Sequence, residues 1–556
     1  MARPGAPFRR IVNLLPRSKE PILGIMPEPQ PVGYFLDPKG EVYNFPLSSY
    51  GQTLSPLVNN LRIDPLTNRY RTRDGTEIFG TAASTYVVGL AIFTTVQGND
   101  YPIRVTTTGV SIWSGGTWVA LSGPVLALNN WDYIEFSVWG TKMMFTDGVS
   151  GLYLIDLTAN TYALISTAPI GLHLTTFNGR VILSYIVKDT AANGASGTQS
   201  TRIRWCVKND NIDWDGEGSG YEDLLSAPGG VVDIQHAVIP MTDADAFVIR
   251  SSSIWIMSTT GFFDTPFAFV QRFNQGTDAP RTVVRVPSTE SRNIHPSQIM
   301  LLGNDDVLLV GPDSVEEVGL PIRDQLINSS LDVSRAVAGY EPKMREYRIH
   351  VPPYTDANTE SVVFRYNIDK GTWVHDTLPY QLRRMAFKDL RAVLSFDQLT
   401  GTMDSLSGSM DALGVSARSP GMIFSTGPDK YVVKEDSTKT FDVGISGFEA
   451  GIPIEIRTGD ILPTGPLNTT QALKVQLEYE ASRVVTVQFD YSIDQGTTWQ
   501  SYGTLSLAIT TGSTIVVYRY NREATRMMFR LTSTNAGGLQ VHGFDVTTVR
   551  GAEINE

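Results

Sequence analysis

Residues 84–121 read STYVVGLAIFTTVQGNDYPIRVTTTGVSIWSGGTWVAL. Short runs rich in Val, Ile, Thr and aromatic residues are separated by turn residues at Gly98-Asn99-Asp100, Gly109 and Gly115-Gly116. β-Branched and aromatic side chains suit a pleated, half-buried surface, while Gly, Asn and Asp supply the tight turns between strands. The same pattern recurs at 131–165 (WDYIEFSVWGTKMMFTDGVSGLYLIDLTANTYALI), at 173–187 with 200–210, at 244–261, at 297–319 and at 345–375. Each recurrence holds two to four strands in roughly 40 to 50 residues, the size of a propeller blade. The expected fold is all-β: a β-propeller of about six or seven blades over residues 81–396.

The flanks differ from this body. Residues 1–31 carry Pro4, Pro7, Pro16, Pro21, Pro27, Pro29 and Pro31, a density that disfavours helix and suggests an extended arm. YFLDPKGEVYNF (34–45) follows as an expected hairpin turning at Pro38-Lys39-Gly40, so residues 1–80 read as arm plus hairpin. Residues 397–465 read as an irregular connector. It opens with Asp397, Asp404 and Asp411 at a spacing of seven, but Gly401 and Gly408 interrupt this repeat and it is too short for a coiled coil. Residues 466–556 hold about six alternating stretches, from ALKVQLEYEA (472–481) to LQVHGFDVTTVR (539–550), and read as a C-terminal β-sandwich.

Composition narrows the function. The net charge of −12 disfavours wrapping DNA by phosphate neutralisation, although an acidic channel would let DNA slide. The single cysteine, Cys206, excludes an intrachain disulfide and is expected as a small buried thiol. No run approaches the ~20 apolar residues of a bilayer-spanning helix, and the first residues lack a signal-peptide core, so a soluble chain made in a reducing compartment is expected.

Three motifs could carry chemistry. Ser492-x-Asp494-x-Gly496-x-Thr498-Trp499 is the pattern called an Asp box in sialidases, with looser relatives at 366–376 and 111–121. Its side chains serve a hairpin: Asp caps backbone N–H groups, Gly takes a positive φ and Trp covers the apolar side. Asp213-x-Asp215-x-Glu217-Gly218 imitates the start of a calcium loop, but Leu224 stands where the bidentate Glu belongs, so a solvated acidic turn is favoured. The six histidines (173, 236, 295, 350, 375 and 542) show no metal spacing and are expected as filling residues. No nucleophile elbow, phosphate loop or dinucleotide fingerprint occurs. No catalytic, cofactor-binding or metal residue is therefore assigned; the expectation is a non-enzyme without cofactor.

RAVAGYEPKMREYRIHVPP with ESVVFRYNIDKGTWVHD (335–376), TTFNGRVILS with TRIRWCVKNDNIDWDGEG (175–218), RSSSIWIMSTTG (250–261), DVLLVGPDSVEEVG (306–319) and DQLTGTMDSLSGSMDALG (397–414) together resemble the tail nozzle, or tail-hub, proteins of short-tailed bacteriophages. The resemblance implies a structural virion protein of the tail, synthesised in the host cytoplasm. It would assemble as a homohexameric ring below portal and adaptor, contact tail fibres or other tail proteins, and extend and close the DNA-ejection channel without sequence-specific binding. The alternative is a carbohydrate-binding receptor-recognition module of a phage tail, with Trp131, Trp139 and Trp214 as candidate aromatic platforms.

Overall fold

The structure, a computed structural model, describes residues 30–32, 57–63, 69–95, 99–189, 197–225, 232–286, 298–327, 330–342, 344–355, 360–387, 422–443, 449–458, 468–524 and 526–553. The hairpin at Pro38-Lys39-Gly40, the Asp397/Asp404/Asp411 repeat and all of the arm except 30–32 lie outside these residues. The fold is all-β. Among the described residues, helix is confined to the single turn Arg323–Leu326 and three short 3-10 segments.

Among the described residues, seven units of four antiparallel strands follow one another. Their first strands are Val87–Thr94, Glu135–Trp139, Ile170–Phe177, Gln235–Pro240, Val284–Val286, Val337–Glu341 and Leu382–Phe387. Local chemistry makes each meander. In unit 3, Ile170–Phe177 turns into Arg180–Lys188 through Asn178-Gly179 alone, with φ of 49° and 68°. A two-residue loop of this kind matches the strand twist only with both φ values positive, which Asn and Gly tolerate best.

Unit 7 is completed from a distance. Leu382–Phe387, Met422–Thr426 and Val432–Asp436 supply three strands, and Gly75–Ile78 supplies the fourth, pairing Ile78 with Val433. Residues 75–78 precede unit 1, so the last unit is tied to the start of the first. A separate apolar cluster fills each gap between neighbouring units. Val88, Ile103 and Ile112 of unit 1 pack with Met143, Phe145 and Ile155 of unit 2. Equivalent clusters join units 2 and 3, 3 and 4, 4 and 5, and 5 and 6. The ring of contacts ends with Leu382, Phe424 and Val433 of unit 7 against Val363 of unit 6, and Ile423 and Val432 against Val87 and Ile92 of unit 1. Each buried aliphatic side chain contributes about 1.5–3 kcal/mol, so every interface is held by many such residues.

A second body is a pair of facing sheets. One has the order Leu61–Ile63, Tyr70–Thr72, Leu539–Glu553, Asn468–Ala481, Thr514–Ala524, with Gln30–Val32 also paired to Leu539–Glu553. The other runs Leu57–Asn59, Ile454–Arg457, Met528–Ser533, Val485–Ser492, Gln500–Leu507. Their inner faces share one core that includes Leu61, Tyr70, Ile456, Leu477, Phe489 and Leu531. All six strands read at 466–556 appear there, at 468–481, 485–492, 500–507, 514–524, 528–533 and 539–553. Strands at 57–72, in the stretch read as arm and hairpin, and at 454–457, in the stretch read as connector, belong to the same two sheets. Leu57–Asn59 also pairs in parallel with Thr372–Leu378, making one sheet continuous with unit 6.

Candidate functional site

The Asp-box stretch closes the turn between Val485–Ser492 and Gln500–Leu507. Asp494 Oδ1 accepts the Thr498 N–H at 2.8 Å, Ser492 Oγ accepts the Gly496 N–H at 2.8 Å, and Thr498 Oγ1 donates to Asp494 Oδ2 at 2.5 Å. Gln495 and Gly496 hold φ of 61° and 80°. The hydroxyl of Thr498, its N–H and the Ser492 hydroxyl draw the Asp494 carboxyl down to about 2. Every polar side chain of the motif is thus engaged in its own turn, while Trp499 lies under the Arg530 guanidinium, 4.7 Å from its ring centre.

The acidic loop at 209–223 is a chain of side-chain-capped turns. Asp210 accepts the N–H groups of Ile212 and Asp213, and Asp213 accepts those of Asp215 and Gly216. Asp215 pairs with Arg204 at 3.2 Å. Among the described residues no group of three or more His, Cys, Asp or Glu side chains could hold a metal ion. The loop borders a cavity of about 460 Å³ lined by Asp189, Arg204, Asp215, Glu217, Tyr221 and Asp264. Of the tryptophans read as platforms, Trp214 is 1 % exposed and anchors this loop from beneath, and is therefore no platform. The exposed rings nearby are Tyr221, Phe262 and Phe263, a placement sequence reasoning missed because Phe262 and Phe263 sit in a turn without alternation.

Cys206 is buried as expected; burial pushes its thiol up to about 11, and Val181 N–H donates to its Sγ. His350 and His375 are buried strand residues. Neutral His350 donates from Nδ1 to Val362 O at 2.7 Å, and burial lowers its pKa to about 4.

The strongest electrostatic features are two groups of arginines. The first lies where units 6 and 7 meet the paired sheets. Glu435 Oε1 receives Arg62 Nη2 at 2.6 Å, Arg348 Nη1 at 2.9 Å and Arg365 Nη2 at 3.4 Å. Arg348 also pairs with Glu346 at 3.0 Å, Arg62 with Asp74 at 3.0 Å, Arg365 with Asp376, and Arg73 with Asp442. Four guanidiniums therefore meet five carboxylates. Burial alone would raise the Glu435 carboxyl, but Arg348, Arg62 and Arg365 hold it well below the usual carboxylate range. Buried charges persist only with such compensation.

The second group surrounds the segment Asn129–Tyr133, which precedes unit 2. Trp131 is flanked by Arg383 of unit 7 (4.1 Å from guanidinium carbon to ring centre) and Arg335, just before unit 6 (4.5 Å). Tyr133 meets Arg281, just before unit 5, at 4.6 Å. Arg384 donates to the carbonyls of Val88 at 2.7 Å, Asp132 at 2.8 Å and Arg383 at 2.8 Å. Residues before or at the first strands of units 1, 2, 5, 6 and 7 thus come together. His173 and His236, on the first strands of units 3 and 4, stand 6.1 Å apart, and the His173 ring lies 6.3 Å from that of Tyr133.

No family model matches the chain, and no curated protein matches it. Three solved structures are distant likenesses. The extracellular domain of a one-component system from B. thetaiotaomicron has a TM-score of 0.37 at 8% identity, covering 89% of this chain and 62% of that one. An exo-beta-1,3-galactanase from Phanerochaete chrysosporium has 0.23 at 9% identity, covering 85% and 100%. A carbohydrate-binding module of Cellvibrio mixtus lichenase 5A has 0.14 at 14% identity, covering 18% and 75%. Likenesses of this size carry neither fold nor function to the present chain.

Proposed function

We propose that the seven units are the blades of a seven-bladed β-propeller and that the protein is a structural component of a phage virion: a tail nozzle subunit, present as a ring of six copies below portal and adaptor. The observation that carries this reading is the fusion of the two bodies. A ring of sheets whose last member is tied to its first has few free edges, and a continuous sheet plus a buried ion lattice joins it to a second body made from both halves of the chain. That construction suits a part that must keep its shape while genome leaves under pressure. A cyclic ring needs two different complementary faces on each subunit, and a body with a propeller side and a sandwich side offers them. DNA would pass through the lumen of the ring of subunits. The cavity of about 320 Å³ between the first strands of units 1, 2, 6 and 7 has room for a small molecule and not for a duplex. The charge of −12 favours passage without gripping.

Immuno-electron microscopy of intact virions with antibody to residues 466–556 tests this. Label at the distal end of a short tail supports the nozzle; well-preserved particles without tail label refute it.

A second reading, a glycan-binding tail module, is favoured by one observation: Tyr221, Phe262 and Phe263 are exposed beside a cavity carrying Asp215, Glu217 and Asp264. Apolar sugar faces stack on such rings while carboxylates accept hydroxyl hydrogens. Glycan-array binding that disappears in the Tyr221→Ala, Phe263→Ala double variant would put this reading first.

A further inference from the structure

Arg281 and Arg384 line a cavity of about 320 Å³ with Tyr133, Glu135, Leu90 and Phe387, between the first strands of units 1, 2, 6 and 7. Their surroundings differ from those of the arginines at the junction. Arg384 is 5 % exposed and its hydrogen bonds go to backbone carbonyls, not to a carboxylate. Arg281 Nη2 donates to Trp131 O at 3.2 Å, while its Nη1 is buried without a hydrogen-bond partner. The one acid lining the cavity is already engaged: Glu135 Oε2 accepts from Leu174 N–H at 3.0 Å and lies 3.1 Å from His173 Nδ1. A buried guanidinium donor without an acceptor costs roughly 1–3 kcal/mol or more, so the site as built is incomplete. Burial lowers the proton affinity of both side chains, with Arg335 adding to it at Arg281 and Arg281 and Arg383 adding to it at Arg384, more than Tyr133, Asp132 and Asp332 offset; an anion would relieve that cost.

We propose that this cavity binds a small oxyanion, a phosphate or carboxylate group, with Arg281 Nη1 as the principal donor and Arg384 as the fixed positive charge behind it. The apolar walls Leu90 and Phe387 leave space for a body attached to the anion, of about the size of a monosaccharide acid or a sugar phosphate. Bound across units 1, 2, 5 and 7, such a ligand would tie together strands far apart in sequence.

The test is isothermal titration of the full chain with inorganic phosphate and, separately, with acetate and glucuronate, all at one ionic strength so that general screening cancels. The expected result is saturable binding of at least one of them, weakened at least about tenfold in Arg281→Gln and less in Arg281→Lys, as befits loss of a charge-assisted hydrogen bond. Binding of phosphate alone assigns a phosphate-bearing ligand; binding of acetate or glucuronate assigns a carboxylate. No saturable heat with any of the three in the unmodified protein overturns the proposal, and so does equal affinity in Arg281→Gln. The unmodified titration decides the matter even if the variants fail to fold.

Discussion

The two arginine groups solve one problem in opposite ways. At the junction, Arg62, Arg73, Arg348 and Arg365 are each matched by carboxylates, and the matching acids come from different bodies: Glu435 from unit 7, Glu346 and Asp376 from unit 6, Asp74 and Asp442 from the chain beside the sandwich. Beside the cavity between units 1, 2, 6 and 7, Arg281 and Arg384 are met by carbonyls and, for Arg281, by the face of Tyr133. The lesson is that guanidiniums matched to carboxylates make a joint, whereas guanidiniums met by carbonyls beside a cavity leave a place for something to bind. Compensation distinguishes the two where burial does not.

Four changes sharpen that contrast. The largest effect is expected from Glu435→Gln, which leaves three guanidiniums buried without their shared counter-ion. It should destabilise by about 3–5 kcal/mol in urea unfolding, the typical cost of breaking a buried pair from one side. The sign with pH follows. Because the folded carboxyl is held below its unfolded value, its contribution is present above the unfolded pKa and is lost as pH falls toward the folded one. Unmodified protein should therefore weaken steeply in acid, and the variant less so.

Arg384→Met beside the cavity comes next. It removes a charge that has no carboxylate to strand, so its cost is the loss of carbonyl partners at Val88 and Asp132, about 3 kcal/mol by the same unfolding assay. A loss equal to or above that of Glu435→Gln would erase the distinction between the groups.

His350 tests how dry the joint is, since it lies on the strand that carries Glu346 and Arg348. Its folded pKa of about 4 lies below the unfolded value, so the unfolded chain takes up the proton first as pH falls. Stability should drop by about 2 kcal/mol between pH 7 and pH 5 on its account, a share that His350→Gln removes. Unfolding midpoints of both proteins across this range measure it.

The smallest effect is expected at the exposed Asp-box turn. Asp494→Ala should accelerate amide exchange at Thr498 and leave the urea midpoint nearly unchanged, because the motif bonds mostly to itself. A large midpoint shift would mean that the turn supports the sandwich as a whole.

Much of the fold was legible because alternation and turn chemistry are local. The strand-rich repeats and the six C-terminal strands sit where their patterns place them, and the Asn178-Gly179 turn is written in two residues. The closing strand was not legible. Gly75–Ile78 is only GTEI, and its partner lies some 355 residues onward, so nothing in its own composition names unit 7. The joint was hidden for a different reason. EYRIH at 346–350 alternates charged and apolar residues, which reads as one face in and one face out. Here the charged face is buried too, against the lattice, so all five residues are buried. Arginine in the middle of otherwise apolar strands, as in SVVFRYN at 361–367, was the available signal. The second arginine group drew Arg281, Arg335, Arg383 and Trp131 from four separate segments, and only the ring geometry brings them together.

The measurement that tests the joint most directly is hydrogen exchange of the full chain across a urea series, comparing peptides from units 2–4 with peptides from 475–531. A single shared transition is predicted for the unmodified protein, and two separated transitions for Glu435→Gln. Independent transitions of the two bodies in the unmodified protein would contradict the account.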